Sequence, residues 1–329
     1  MKSIMGLILN TTILNTTILS TAILFPIASY SQSSQSPSSD DHWRVKTNVY
    51  VELEEYQGQR DSQNNKVYDK ASMVGKLSLS NLASTWSFDL EHRETLRNHG
   101  KNFSNSRDSY IRNRTQIGVT KQFIKDKISN LDVNFTYRKE SNDGTPGSKA
   151  RASNSLYWIM PSGSINLDER WTFNYWGALY YYSNFYEANS YEFESEVGVS
   201  YKLTDSIKAK VSYYSDKAWD NEFTTQSLQR QIRLGLPVTI NQDWSISPYF
   251  RYLINDNEYN NRGHLTQQLR SGYRLGTQVE YKVTPKLALW GGVAYEPTKW
   301  KYPKGSEKTS GNSNKQTMYL GQLGVKYSW

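Results

Sequence analysis

From Trp43 to the last residue the sequence repeats one pattern: short runs of alternating apolar and polar residues, separated by polar connections that are by turns short and long. The first run is the clearest. Trp43, Val45, Thr47, Val49, Val51 and Leu53 form one set, and Arg44, Lys46, Asn48, Tyr50, Glu52 and Glu54 the other. Successive side chains of a strand point to opposite faces, so this is a strand with one apolar and one wet face. Trp86, Phe88 and Leu90 against Ser87, Asp89 and Glu91 repeat it, as do Leu131 to Arg138, Tyr191 to Tyr201, Ile207 to Tyr214 and Arg274 to Tyr281. The short connections are 81–84, 124–130, 168–170, 204–206, 241–243 and 284–286, rich in the Asn, Asp, Ser and Pro that turns use. The long ones lie near 56–66, 96–109, 141–151, 184–190, 215–225, 254–268 and 297–315. Strict alternation of the two sizes predicts an even number of strands, about fourteen, with both ends on the short-turn side. The fold class this implies is all-β: a transmembrane antiparallel β-barrel with short periplasmic turns and long extracellular loops, in the outer membrane of a Gram-negative cell.

Composition decides between a membrane barrel and a soluble sandwich. The apolar fraction is only 37%, yet there are 25 Tyr and 10 Trp. Disordered chains are poor in aromatics, and a soluble core needs more aliphatic residues. A membrane barrel needs just one apolar face per strand and gathers Tyr and Trp at its two interfaces. The charged face must be the wet one, because Lys or Arg facing lipid at the midplane costs about 2–4 kcal/mol. The absence of Cys excludes disulfides and thiolate-bound metals. The net charge of +8 is spread along strands with no dense basic run, so nucleic acid is not an expected partner. No cofactor or metal is expected.

Residues 1–31 read as a secretory signal, with Lys2, an apolar stretch to Ile27 and small residues at Ala28, Ser29 and Ser31. Residues 32–41 read as a polar leader, and 42–329 as the barrel. The chain ends on Tyr319, Gly321, Leu323, Val325, Tyr327 and Trp329, an alternating strand closed by an aromatic residue. Such an ending resembles the signal by which outer-membrane proteins engage the β-barrel assembly machinery. Membrane lipid and lipopolysaccharide are the other expected partners. Trp43, Trp86, Trp171, Trp244 and Trp329 fall on the lipid face as interface anchors.

The stretch from Tyr157 to Arg251, with a looser continuation to Trp329, resembles the outer membrane porin G family of monomeric fourteen-stranded porins. The segments that carry the resemblance are Ile159-Met160-Pro161, Trp171 to Trp176, Glu194 to Gly198 and Val211 to Tyr214. Gln231-Ile232-Arg233, Leu236 to Thr239, Ser247 to Arg251, Arg262-Gly263-His264 and Val325 to Trp329 complete them. The resemblance implies a monomeric, rather wide channel for small hydrophilic solutes, sugars included. In that family, closure at low pH is linked to paired histidines on neighbouring strands. Here His264 matches one of them, and the other falls near Met318 or Tyr319. A repelling His pair cannot form there. Asp256 and Glu258, with His264, remain as titratable candidates in a gating loop at 254–268.

A pore acts through its bore, wall charge and loops. The candidate wall cations are Arg44, Arg93, Arg112, Arg114, Arg138, Arg233, Arg251, Arg270 and Arg274, with Lys208 and Lys210; the candidate anions are Glu52, Asp89, Glu91, Glu192, Glu194, Glu196 and Glu280. The three Glu of residues 192–196 lie one strand before Lys208 and Lys210, so cross-strand pairs between them are expected. As a set these charges are expected to produce a transverse field that orients polar solutes; singly, most serve only to brace the wall. Trp176, Tyr180, Tyr182, Tyr214 and Trp290 share the wet face, where aromatic rings can stack on sugars. A wall rich in Arg also suits acidic oligosaccharides, an alternative to general diffusion. An enzyme is not expected, since neither Gly-x-Ser-x-Gly nor His-Glu-x-x-His occurs and Gly144 to Lys149 reads as a turn. A blocked adhesive barrel would have to plug itself with loops 254–268 or 297–315.

Overall fold

The computed structural model describes residues 43–58, 69–81, 85–98, 110–144, 153–184, 188–303 and 314–329. The signal and leader expected over residues 1–41, the first barrel residue His42 and the stretch bearing His99 lie outside the described residues, as do 145–152, which holds most of the Gly144 to Lys149 turn, and 304–313. The strands are β1 (Trp43–Gln57), β2 (Asp69–Asn81), β3 (Trp86–Asn98), β4 (Tyr110–Lys125), β5 (Ser129–Gly144), β6 (Ser153–Asn166), β7 (Trp171–Asn184) and β8 (Ser190–Lys202). They continue as β9 (Lys208–Asp220), β10 (Thr225–Gly235), β11 (Val238–Thr239), β12 (Trp244–Tyr259), β13 (Leu265–Lys282), β14 (Leu287–Lys301) and β15 (Lys315–Ser328).

Every strand pairs antiparallel with its neighbour in sequence, β1 pairs with β15, and β10 pairs with β12, so the sheet closes on itself. β10 and β11 are two halves of one strand. Both pair with β12, and Leu236 N–H donates to Pro248 O at 3.0 Å between them. Pro237, which lacks an N–H, accounts for the break. The barrel therefore has fourteen strands. Closure leaves no sheet edge, a requirement inside a bilayer where no water satisfies an open N–H or C=O.

The outer face is apolar and bare. Val49, Val51, Phe88, Leu90, Ile117, Phe135, Ile159, Leu179, Val211, Leu275, Val293 and Leu323 are all exposed. Trp43, Trp86, Trp171 and Trp244 each open a strand at the short-turn end, and Trp171 and Trp244 pack on Tyr201 and Tyr281 at 4.6 and 4.5 Å between ring centroids. A second belt climbs across Tyr137, Tyr157, Tyr181 and Tyr191, and another row runs Tyr273, Tyr295, Tyr319. On β15 the belts are marked by Tyr319 and Tyr327, eight residues apart. In a strand tilted by about 40° that is a rise of roughly 20 Å, close to the apolar band of an outer-membrane barrel.

Two connections differ from the sequence expectation. The polar stretches 215–225 and 254–268 are mostly strand: β9 and β10 are joined only by 221–224, and β12 and β13 by 260–264. Both hairpins extend beyond the upper aromatic belt, where both faces meet water. Alternation disappears there although pairing continues. At the turn in 260–264 Gly263 has φ +73°, a left-handed conformation that suits glycine.

The short turns are held by their own side chains. Asp168 accepts the N–H groups of Trp171 and Arg170 at 2.6 and 2.7 Å, and Asp126 those of Ser129 and Ile128 at 2.7 and 2.8 Å. These bonds hold both carboxyls below the usual carboxylate range. A depressed folded-state value means stability present above the ordinary Asp pKa and lost as pH falls through the folded one. Asp168→Ala is therefore expected to lower the urea midpoint of the folded barrel at pH 7, with the difference from wild type disappearing towards pH 2. A second substitution checks the faces. Leu323→Lys, midway between the belts and outward, is expected to cost about 2–4 kcal/mol in lipid-vesicle unfolding titrations. Gln322→Lys, one residue away and inward beside Glu52, is expected to cost far less.

Candidate functional site: the charged inner wall

The charges meet on the concave face, and geometry shows it. Side chains two strands apart converge only inside a barrel. Arg93 on β3 reaches over β2 to Glu52 on β1 at 3.0 Å, and to the Tyr50 hydroxyl at 2.9 Å. Arg233 on β10 reaches over β9 to Glu196 on β8 at 2.6 Å. Lys326 on β15 reaches over β14 to Glu280 on β13 at 2.6 Å, and the Trp290 indole N–H donates to Asn48 at 3.0 Å across β15.

Around this wall the charges fall into four arcs. The first is basic and spans β3 to β5. Arg112 is held by Asn142 and Tyr110, and Arg138 donates to Gln116 at 2.8 and 3.1 Å. Arg114 Nε lies 2.7 Å from Glu140, though out of line for a hydrogen bond, and Arg138 is 3.5 Å from the same carboxylate. One carboxylate thus serves two guanidinium groups. The second arc is acidic and spans β8 and β9. Glu192 accepts from Tyr182 at 2.5 Å, and Glu194 from Tyr180 and Tyr214 at 2.8 and 2.7 Å. The register sets Glu194 opposite Asp216. Among the described residues no Lys or Arg pairs with these three acids. The third arc is basic: Arg233 stacks on Tyr214 at 3.5 Å, Arg251 lies over Tyr249 at 5.3 Å, and Arg274 pairs with Glu296 at 2.6 Å. The fourth is acidic: Glu296 on β14, then Glu52 and Glu54 on β1. Glu54 is bonded to Lys70 at 2.8 Å and to the Tyr56 hydroxyl.

Arg114 on β4 and Arg251 on β12 are seven strands apart in either direction round the ring, and so are β8 and β1. Like arcs therefore face each other. A single field across the bore needs unlike charges on opposite sides; with like arcs opposed, the contributions cancel near the axis and survive near the wall.

The remaining sequence candidates have mixed placements. Arg44 is exposed on the charged face of β1 near the turn end. Asp89 accepts from Ser78 at 2.5 Å and lies 3.5 Å from Lys76; Glu91 shares its face beside Arg93. Trp176 packs 6.4 Å from Tyr214. Three expectations are corrected. Lys208 and Lys210 do not meet the Glu ladder: β8 and β9 are joined by a tight turn, so these lysines sit opposite Lys202 and Ser200, while Glu196 faces Tyr214. Arg270 is left out of the inner wall. The β13–β14 register passes from Leu269 to Ser271, so the alternation slips at the bulge; Leu269 is buried inward and Arg270 is exposed. Asp256 and Glu258 belong to β12, paired with Gln229 and Ser227 of β10, so only His264 of the gating-loop candidates lies in a turn.

Sequence reasoning put Glu54 on the wet face without naming it a wall anion, and missed Lys70, Glu140, Asp216, Glu296 and Lys326, and with them Trp158. Glu140 and Glu296 sit at the edges of what reads as loop, although each shares the parity of Arg138 or Ala294 on its own strand. Trp158 looks lipid-facing from its apolar neighbours, yet it is buried on the inner side under Arg138, 5.0 Å away.

Comparison with known proteins settles the family. The model of the outer membrane protein G (OmpG) family matches residues 40–327. The chain belongs to the OmpG porin family. It is an outer-membrane channel, and its inner wall is the face of that channel. No curated protein sequence gives a significant match. Among solved structures, the CymD monoaromatic hydrocarbon channel aligns with TM-score 0.54 at 8% identity, covering 88% of each chain. A FadL homologue of Pseudomonas aeruginosa aligns with TM-score 0.47 at 9% identity, covering 87% of this chain and 89% of its own. At such identities the likeness concerns the barrel fold.

The arcs can be separated by selectivity. Glu194→Gln with Asp216→Asn is expected to shift the zero-current potential in a KCl gradient towards anion preference, and Arg112→Gln with Arg138→Gln towards cation preference. Shifts of the same sign from both pairs would show that the arcs do not act on permeating ions.

Proposed function

We propose that this porin is a passive diffusion channel for small hydrophilic solutes, mono- and oligosaccharides among them, and that it works as a monomer. The observation that carries the reading is the composition of the inner wall. Charged groups, tyrosine hydroxyls and amides line it with both signs present, and a polar lining of this kind is one that water fills. No solute with a single charge sign is favoured everywhere, because basic and acidic groups alternate round the wall. A channel reserved for anionic oligosaccharides fits this wall less well, since Glu192, Glu194 and Asp216 form an acidic stretch of it in which Glu192 and Glu194 accept from tyrosine hydroxyls. The inner aromatic residues Trp176, Tyr180, Tyr182 and Tyr214 offer flat apolar surface beside hydroxyls, which suits the faces of sugar rings.

The test is single-channel recording from the chain folded in detergent and reconstituted in a planar bilayer. Steady conductance that rises by single, equal steps on insertion, with weak and comparable block by neutral and acidic trisaccharides, is the expected result. Block by acidic sugars alone would replace general diffusion with anionic selectivity. A folded barrel that passes no current would overturn the channel reading in this form.

A further inference from the structure

Between the first basic arc and the acidic arc beside it lie β6 and β7. Neither contains an Asp, Glu, Lys or Arg, and no other long strand of the barrel shares that property. Their inner face is aromatic. Leu156, Trp158 and Ala178 are buried at its centre, with Trp176, Tyr180 and Tyr182 packed against them. A continuous series of contacts crosses this strip. The Arg138 guanidinium lies 5.0 Å from the Trp158 ring, Trp158 lies 5.4 Å from Tyr180, and the Tyr180 hydroxyl donates to Glu194 at 2.8 Å. In order across the wall the chemistry is cation, ring, ring, anion.

Both ends of the series carry charge that the protein compensates only in part. Arg138 is held by the neutral amide of Gln116 and shares Glu140 with Arg114. Glu194 accepts only hydroxyl groups, and Glu192 and Asp216 beside it add to its field. Burying charge against charge of the same sign is unfavourable, so each end gains from a counter-charge supplied by a solute. Three strand spacings separate β5 from β8, roughly 14 Å along the backbone, and less at the tips of side chains converging inside a barrel. An extended chain of three residues spans about 10 Å.

We infer that this strip is a binding subsite for short zwitterionic peptides of about three residues, with the carboxylate at Arg138, the ammonium group at Glu192 and Glu194, and an apolar central side chain against the half-buried Tyr180, which the buried Trp158 backs. The inference rests on the channel reading for the route by which such a peptide arrives. A neutral sugar engages only the rings; a peptide engages both ends at once. Because the cation and the anion lie three strands apart on the same wall, a peptide that reaches both lies flat against it.

The experiment uses the barrel folded in detergent and the peptide Gly-Phe-Gly in two forms, free and with its amino end acetylated and carboxyl end amidated. Calorimetry is expected to give the free form at least ten-fold tighter binding than the capped form, and Arg138→Gln with Glu194→Gln to abolish that difference. Equal binding of both forms to the wild-type barrel, or a preference that survives the double substitution, would overturn the subsite. The wild-type comparison of free with capped peptide decides the matter even if the variant does not fold. Conductance of the same preparation is recorded separately. A conducting barrel without peptide preference sinks the subsite alone, and a peptide-binding barrel without conductance sinks the channel reading alone.

Discussion

Everything in this molecule depends on closure of the hydrogen-bonded ladder. A bilayer interior offers no water to an unpaired N–H or C=O, so a sheet can cross it only without edges. The pairing of β1 with β15 and of β10 with β12 meets that condition. Closure also makes one face convex and the other concave. Side chains diverge outside, where bare aliphatic groups meet lipid, and converge inside, where Arg93 finds Glu52 and Arg233 finds Glu196 across an intervening strand. The ion pairs are thus a consequence of curvature as much as of sequence.

That curvature turns a list of charges into a pattern. On a flat sheet the Arg and Glu residues would be rows of separate side chains. In the ring they become four arcs in which like faces like. The protein's partial neutralisation is uneven: the third arc is largely paired through Glu196 and Glu296, while the first has one carboxylate between two arginines and the second relies on hydroxyls. The aromatic strip of β6 and β7 sits where those two less compensated arcs adjoin. Its position gives the wall a polarity along its circumference, and solutes close to the wall feel that polarity more than solutes on the axis.

How far the sequence could be read depended on whether a property is periodic. Strand existence, the lipid face, the tight turns and the aromatic anchors at Trp43, Trp86, Trp171 and Trp244 repeat with period two or mark a change of direction, and they are visible in the chain itself. The hairpins above the membrane were not, because both faces of 254–268 meet water and alternation has no cause there. Arg270 was misplaced for a related reason: one bulge shifts the parity, and nothing in the residues around it announces the slip.

The sequence by itself determined that this chain is an antiparallel barrel with a charged face, since side-chain direction in a strand is a local property of the backbone. Which charges meet was decided only by the tertiary structure. Lys208 and Lys210 are one strand from the Glu ladder in sequence, yet antiparallel register puts them at the opposite end of it. Glu52 and Arg93 are forty-one residues apart and share a hydrogen bond. Register and curvature set those meetings, and both belong to the closed ring as a whole.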